Sequence, residues 1–381
     1  MAVQRATMSR MQIGPGIELA LAPMLDDLGA LVGVESPSHD TVALARSAEA
    51  IARVFAARLG SRPELVDGPA GTHVHWRGPG APRVLLLGHH DTVFPLGTLA
   101  ARPFAVEGGR ATGPGVFDMK AGVVQAIHAI AALDDPTGVE ILFTADEEVG
   151  SATSKALIEE RARACGAVLV LEPSADGGAL KTARKGTGTF EVVVHGRAAH
   201  AGLEPEKGVN ALVEAAEQVL RIVSFERHQV GTTVTPTIAA AGTAENVVPA
   251  EARVTVDVRV TSADERERVE ELMRTLSPVL PGIHLEVAGA VSRPPMHESS
   301  SATLMPVAVS VAEQLGLPGI HGVAVGGGSD GNFTAAIGVP TLDGLGAVGG
   351  GAHADHEWVD VAMMPERALL VAGIVTHLRN P

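Results

Sequence analysis

Residues 82–93 read PRVLLLGHHDTV: a proline and an arginine, an unbroken run of branched apolar residues from Val84 to Leu87, a glycine, then two imidazoles and a carboxylate. An apolar run this short, bounded by Pro82 and Gly88, suits a parallel strand buried on both faces better than a helix. The polar cluster His89, His90, Asp91 then stands at the carboxyl end of a strand. The same arrangement recurs twice, with the run 139–144 followed by Asp146, Glu147 and Glu148, and the run 167–171 followed by Glu172. Residues 120–133 read as a helix between the first two strands, and strands alternating with helices imply an α/β layer. Open α/β sheets bind ligands outside the carboxyl ends of their strands, which is where these acids and imidazoles collect.

Outward from that stretch, residues 17–60 carry apolar positions at helical spacing. They predict two helices, the second beginning at Pro37 and Ser38 and ending at Gly60. From Gly186 the pattern changes to strand 188–195, helix 208–224, strands 232–241 and 253–261, helix 264–276 and strand 283–288, the order of a ferredoxin-like split βαβ unit. At roughly a hundred residues this is a domain-sized insertion. Pro294 and Pro295 mark its exit, because the residue before a proline leaves the helical region. A helix over 302–315 and strands near 323 and 341–345 then resume the first pattern. The expected organisation is a discontinuous catalytic domain, 1–183 and 293–381, interrupted by a second domain over 184–292.

Composition narrows the function. The chain has 381 residues with 44 acidic against 29 basic, a formal charge of −15, so it lacks the basic footprint that gathers nucleic acid, and anionic membranes would repel it. Aromatic residues make up 3%, with no tyrosine, which removes stacking platforms for single strands. Cys165 is the only cysteine, so an internal disulfide and a thiolate metal site are both excluded, and any metal must use His, Asp and Glu. The opening MAVQRATMSRMQIGPG is interrupted by Pro and Gly before a secretory apolar core forms, and no apolar run approaches ~20 residues. The expectation is a cytoplasmic protein.

Several residues could carry chemistry, each with a plainer reading beside it. In His89-His90-Asp91 an acid two residues from an imidazole can orient its second nitrogen, yet His near Asp in a loop is also ordinary surface polarity. Glu147 and Glu148 follow a strand, whereas Asp134-Asp135, Glu159-Glu160 and Glu270-Glu271 lie on apparent helices or their ends. Neighbouring acids in that position can point one to a metal and one to a water. Asp118, in GPGVFDMKAG (113–122), is either a ligand or a helix cap. His353, in GGGAHADHE (349–357), follows a glycine-rich turn and could equally be a satisfied loop histidine. Residues 326–331, GGGSDG, match the G-x-G-x-x-G spacing of a dinucleotide site and raise a nucleotide-dependent oxidoreductase as the rival. Too little chain follows them for two mononucleotide-binding halves. The G-x-S-x-G spacing around Ser329 lacks the early His and Asp of a serine hydrolase.

Taken together, GHHDTV (88–93), GPGVFDMKAG (113–122), TADEEVGS (144–151), LEP (171–173) and GGGAH (349–353) resemble the dinuclear zinc peptidases of the M20 clan. GRAAHAG (196–202) and ENVVPAEARVTVDVR (245–259) extend the resemblance through the insertion, and the chain is most similar to the glutamate carboxypeptidase branch, which includes folate-cleaving carboxypeptidases. The resemblance implies two zinc ions per subunit, with cobalt or manganese as substitutes, bridged by Asp118, one held also by His89 and Glu172, the other by Glu148 and His353. It implies Glu147 as the general base and Asp91 as the residue orienting His89. It implies substrate contacts from His200, Asn246, Arg259 and the backbone near Gly328 and Ser329, and a homodimer formed by the inserted dimerisation or lid domain. The implied reaction is hydrolysis of a peptide or N-acyl amino acid to release a free amino acid. The alternatives are an N-acyl amino acid deacylase of the acetylornithine or succinyl-diaminopimelate type and a catalytically dead carboxylate-binding protein. The spacing HADHE after His353 departs from some relatives and leaves Glu357 without an assigned role.

Overall fold

The computed structural model describes residues 19–379. Contacts divide them into two compact units, the first running to Thr182 and including Ser299–Val323 and the chain from Ile337 onward, the second comprising Ala183–Glu298 and Ala324–Ala336. Residues 324–336 therefore group with the second unit, where the sequence reading had assigned everything after 293 to the first.

The first unit is built on a six-stranded sheet in the order Glu64–Gly68, Gly71–Arg77, Val139–Thr144, Val84–His89, Val168–Val170, Thr341–Leu342. The last four strands run parallel, and the first two form an antiparallel hairpin added to their edge. Every residue of Val84–His89 and Val139–Thr144 is buried, as their largely apolar sequences favour, and the one acid among them, Glu140, is met by His75 at 3.0 Å. The helix Ala121–Ala131 is buried from Ala121 through Ile130, which suits its nearly all-round apolar surface. Two helices open the described chain, Leu21–Val32 and Thr41–Leu59. The second starts later than expected because His39 adopts a left-handed φ of 72° and Asp40 caps the helix by accepting the Ala43 N–H at 2.9 Å. Not anticipated at all was a small antiparallel sheet in the order Gly349–Gly350, Trp358–Asp360, Arg110–Thr112, Ala105–Glu107. It registers Trp358 with Thr112, so the loop after 112 and the loop before 358 start from one ladder.

The second unit has a four-stranded sheet in the order Thr233–Ala241, Glu251–Val260, Gly186–His195, His284–Arg293, all antiparallel. With the helices Ala211–Val223 and Ala263–Arg274 it is the expected ferredoxin-like arrangement. Its core is mostly valine, because the period-2 alternation of Glu251–Val260 sends Val254, Val256, Val258 and Val260 to one face. The edge strand Thr233–Ala241 is largely exposed. The helix Ala211–Val223 leaves Leu212, Val213, Leu220 and Val223 exposed, while its inward-facing Glu214 accepts the Val279 and Leu280 N–H groups. The 326–333 loop is tied into this unit by Arg184 donating to the Gly327 and Gly328 carbonyls, by the buried Arg293–Asp330 pair at 3.0 Å and by Asn332 donating to the Lys185 and Pro294 carbonyls. No described helix is long and apolar enough to cross a membrane.

Two glycines hold the end of one strand of the first unit in place. A Cβ on Gly122 would lie 2.2 Å from the Leu171 carbonyl oxygen, and one on Gly346 would lie 2.1 Å from the same oxygen and 2.7 Å from that of Glu172. Replacing a helical glycine by alanine ordinarily stabilises a protein by up to ~1 kcal/mol. Gly122→Ala should instead destabilise by ~1–3 kcal/mol, the cost of overpacking against a backbone that cannot yield. Urea unfolding measures the sign, and a stabilised variant would refute the contact.

Candidate metal centre and active site

His89 ends the strand Val84–His89 and is 1% exposed. Its Nδ1 lies 3.0 Å from the Asp91 backbone carbonyl, an oxygen that only accepts, so Nδ1 carries the proton and donates. Nε2 thereby faces Asp118 Oδ1 at 3.2 Å and Glu172 Oε1 at 3.5 Å, where it would offer a lone pair to a cation that displaces its proton. The Asp91 carboxylate lies farther from Nδ1, at 3.4 Å. Its nearer partners are the N–H groups of Glu147 and Glu148, one to each oxygen at 3.1 Å, and the Ser38 hydroxyl at 2.8 Å. Asp91 thus orients His89 mainly through its backbone while its side chain shapes the turn that carries the acidic pair.

Asp118 occupies a turn, Val116–Lys120, with extended torsions at its own position. Its two oxygens diverge, with Oδ1 facing His89 and Oδ2 lying 3.3 Å from His353 Nε2. The same His353 nitrogen is 3.0 Å from Glu148 Oε2. His353 is half-exposed and sits at a left-handed φ of 63°, in the loop between the short strands Gly349–Gly350 and Trp358–Asp360. Ligand atoms of His89, Glu147 and Glu172 lie within 4.8 Å of one another, as do those of His89, Asp118 and Glu148.

This crowd of carboxylates calls for positive charge. Burial raises the Asp118 pKa, but the imidazoles of His353 and His89 outweigh that and hold it far below the usual carboxylate range. Burial likewise opposes charge on His89, and Asp118, Asp91 and Glu172 overcome it, raising its pKa well above normal. Asp118 and Glu148 together lift His353 to about 10. Burial raises Glu148 instead, and its Oε1 is buried with no hydrogen-bond partner. An unpaired carboxylate oxygen among nitrogen and oxygen donors, with no thiolate, fits hard or borderline divalent cations such as zinc.

The remaining predicted residues lie in the second unit. His200 is exposed, its Nδ1 accepting the Gly202 and Leu203 N–H groups at 3.1 Å. Asn246 is exposed, and its backbone carbonyl accepts the Ala201 N–H. Arg259 is 35% exposed and already forms a two-pronged pair with Asp257 at 2.9 and 2.8 Å. In the 326–331 loop the Ser329 N–H donates to the Asn332 side chain and the Gly331 N–H to the Ser329 hydroxyl. Those amides are spent internally, which argues against the dinucleotide reading, since a phosphate cradle needs them free. A residue that sequence reasoning left without a role is Glu357, which is 2% exposed and accepts the N–H groups of Gly115, Phe117 and Asp118. Its only sequence signal was its place four residues after His353.

Comparison with known proteins agrees with this geometry. Residues 85–377 match the model of peptidase family M20/M25/M40. The chain is 35% identical to carboxypeptidase G2 of Pseudomonas sp. (strain RS-16) over 314 residues, 79% of this chain and 75% of that one. It is 28% identical to a succinyl-diaminopimelate desuccinylase of Wolinella succinogenes over 306 residues, 75% of this chain and 82% of the relative. Its fold matches that of the aminopeptidase PepT from Bacillus cereus with a TM-score of 0.76 at 24% identity, covering 95% of this chain and 99% of that one. With the family model spanning most of the chain and the acids and imidazoles of the first unit assembled at the strand ends, the protein belongs to the M20/M25/M40 peptidase family and is a hydrolase of peptide-type C–N bonds.

Proposed function

We propose that this chain is a zinc-dependent carboxypeptidase of the glutamate-releasing kind, cleaving the amide bond of a peptide or N-acyl amino acid to free a residue with an α-carboxylate. The observation that carries the reading is Asp118, whose two oxygens face two different imidazoles. His89 and Glu172 would hold one metal, Glu148 and His353 the other, with Asp118 shared between them. A zinc pair bound there supplies Lewis-acid activation of a water and of the scissile carbonyl. Glu147 takes a proton from the attacking water and returns it to the leaving nitrogen. Asp91 sets the Glu147–Glu148 turn by accepting two backbone hydrogen bonds and, through its carbonyl, holds His89 with Nε2 toward Asp118 and Glu172. Arg259 is the group suited to read a substrate carboxylate, its fork matching the two oxygens, with Asn246, His200 and the backbone at Gly328 as further substrate contacts, while the Ser329 amide is committed to Asn332. The desuccinylase relative favours deacylation of an N-succinyl amino acid as the second reading.

A homodimer through the second unit is supported by the exposed strand edge Thr233–Ala241 and by the exposed apolar face Leu212, Leu220 and Val223 of the adjacent helix.

Protein purified without chelators should carry two zinc equivalents per chain at full activity. Glu147→Gln should retain both while losing ~10²–10⁴ in kcat, and Glu148→Gln should lose metal. Elemental analysis beside turnover decides this, and metal loss from the Glu147 variant alone would reverse the two roles. Amidating the substrate carboxylate should lower kcat/KM by ~10–150-fold, the value of ~1.5–3 kcal/mol for a hydrogen bond to a charged group. Arg259→Ala should abolish the distinction between acid and amide; if both substrates slow equally in that variant, Arg259 does not read the carboxylate. Sedimentation of Leu220→Asp should reveal monomer where the parent is dimer, and an unshifted dimer would move the interface elsewhere.

A further inference from the structure

We infer that Glu357 is a positioning residue for the metal centre: its buried carboxylate grips the backbone around Asp118 and keeps the two Asp118 oxygens divided between His89 and His353. The inference rests on the reading of Asp118 as the shared ligand.

Within the turn Val116–Lys120 the Lys120 N–H donates back to the Gly115 carbonyl at 2.9 Å, but two amides find their partner elsewhere. With extended torsions at Asp118, the N–H groups of Phe117 and Asp118 point out of the turn, and both land on Glu357 Oε1 at 2.7 and 2.8 Å. Glu357 Oε2 accepts the Gly115 N–H at 3.0 Å. These partners are 239 to 242 residues away in sequence, so the contact is a tertiary clamp and not a local cap. Both oxygens being taken by amides, Glu357 is not placed as a ligand, unlike Glu148, whose Oε1 has no partner.

What makes this clamp specific to the centre is its origin. Glu357 and His353 lie four residues apart in one loop, bounded by strands Gly349–Gly350 and Trp358–Asp360. The strand Trp358–Asp360 pairs with Arg110–Thr112, which leads directly into the Asp118 turn. One loop therefore reaches Asp118 at both ends, His353 at the carboxylate and Glu357 at the backbone amide. A rotation of the Asp118 peptide would separate Oδ1 from His89 or Oδ2 from His353, and the charge-assisted amide bonds oppose that rotation. The Lys120 ammonium, 2% exposed and donating to the Val34 carbonyl at 2.8 Å, lies within electrostatic reach of the clamp.

The test is the zinc affinity of holoenzyme variants, measured by competition with a chromophoric chelator, together with the visible absorption of the cobalt-substituted proteins. Glu357→Gln keeps the shape but must turn an amide NH₂ toward at least one backbone N–H. It should weaken zinc binding by ~10–100-fold, the usual effect of losing a residue that orients a ligand, and change the cobalt bands. At saturating zinc its KM should equal the parent's. Glu357→Asp, which keeps the charge but withdraws it by one methylene, should fall between the two and carries the test if the glutamine variant does not fold. Zinc affinity and cobalt spectrum unchanged within twofold, with only the thermal stability of the metal-free protein lowered, would overturn the inference and leave Glu357 a structural acid. Asp118→Asn run in parallel separates the two claims. If it keeps both metals at parental affinity, the reading of Asp118 itself fails; if it loses metal while both Glu357 variants bind like the parent, only the clamp fails.

Discussion

Asp118 shares its two carboxylate oxygens between His89 and His353, and much of the first unit is arranged to make that sharing possible. The two imidazoles come from chain segments more than two hundred and fifty residues apart, one at the end of a buried parallel strand and the other in a loop of the small antiparallel sheet. Glu172 is delivered by a neighbouring strand whose end is pressed between Gly122 and Gly346, where no side chain fits. Asp91 holds the Glu147–Glu148 turn by both backbone amides. Gathering this many carboxylates within a few ångströms is costly unless positive charge is supplied. The raised pKa values of His89 and His353 are the protein's own partial answer. In the proposed reading a pair of divalent cations on the same donors would be the fuller one.

Much of this was legible in residue order. The apolar runs ending at Leu87, Thr144 and Leu171 identified buried strands, and the polar residues directly after them proved to be the ones that converge. The ferredoxin-like unit was legible for a similar reason: strict alternation in Glu251–Val260 reveals a one-sided strand whatever its partners are. The start of the second helix was read too early, at Pro37-Ser38, because the left-handed turn at His39 that delays it to Thr41 leaves no mark in the sequence pattern.

What stayed hidden depends on contacts that no local pattern encodes. The small sheet has strands of two and three residues, too short to show periodicity, yet it sets the Asp118 and His353 loops side by side. The grip of Glu357 on the Asp118 turn spans about two-thirds of the chain, and a lone acid near the end of a sequence announces nothing. The Arg259–Asp257 pair is different, because residues two apart on a strand share a face, so the partner could have been read directly. That pairing occupies the Nε and one Nη2 donor of Arg259 and leaves the outer edge of its guanidinium unassigned. The glycine-rich 326–331 segment looked like a phosphate loop by spacing alone, and its actual use of Ser329 and Gly331 amides within the loop shows how little such spacing conveys without backbone geometry.

In the proposed reading this donor set is a two-metal centre with Asp118 between the ions. Anomalous diffraction at the zinc edge from crystals of protein purified without chelators tests it without reference to any substrate. Two peaks ~3.5–4 Å apart are expected. The Asp118 carboxylate should lie between them, with His89 and Glu172 on one and Glu148 and His353 on the other. A single peak in fully active protein, or two peaks of which neither touches Asp118, would contradict it.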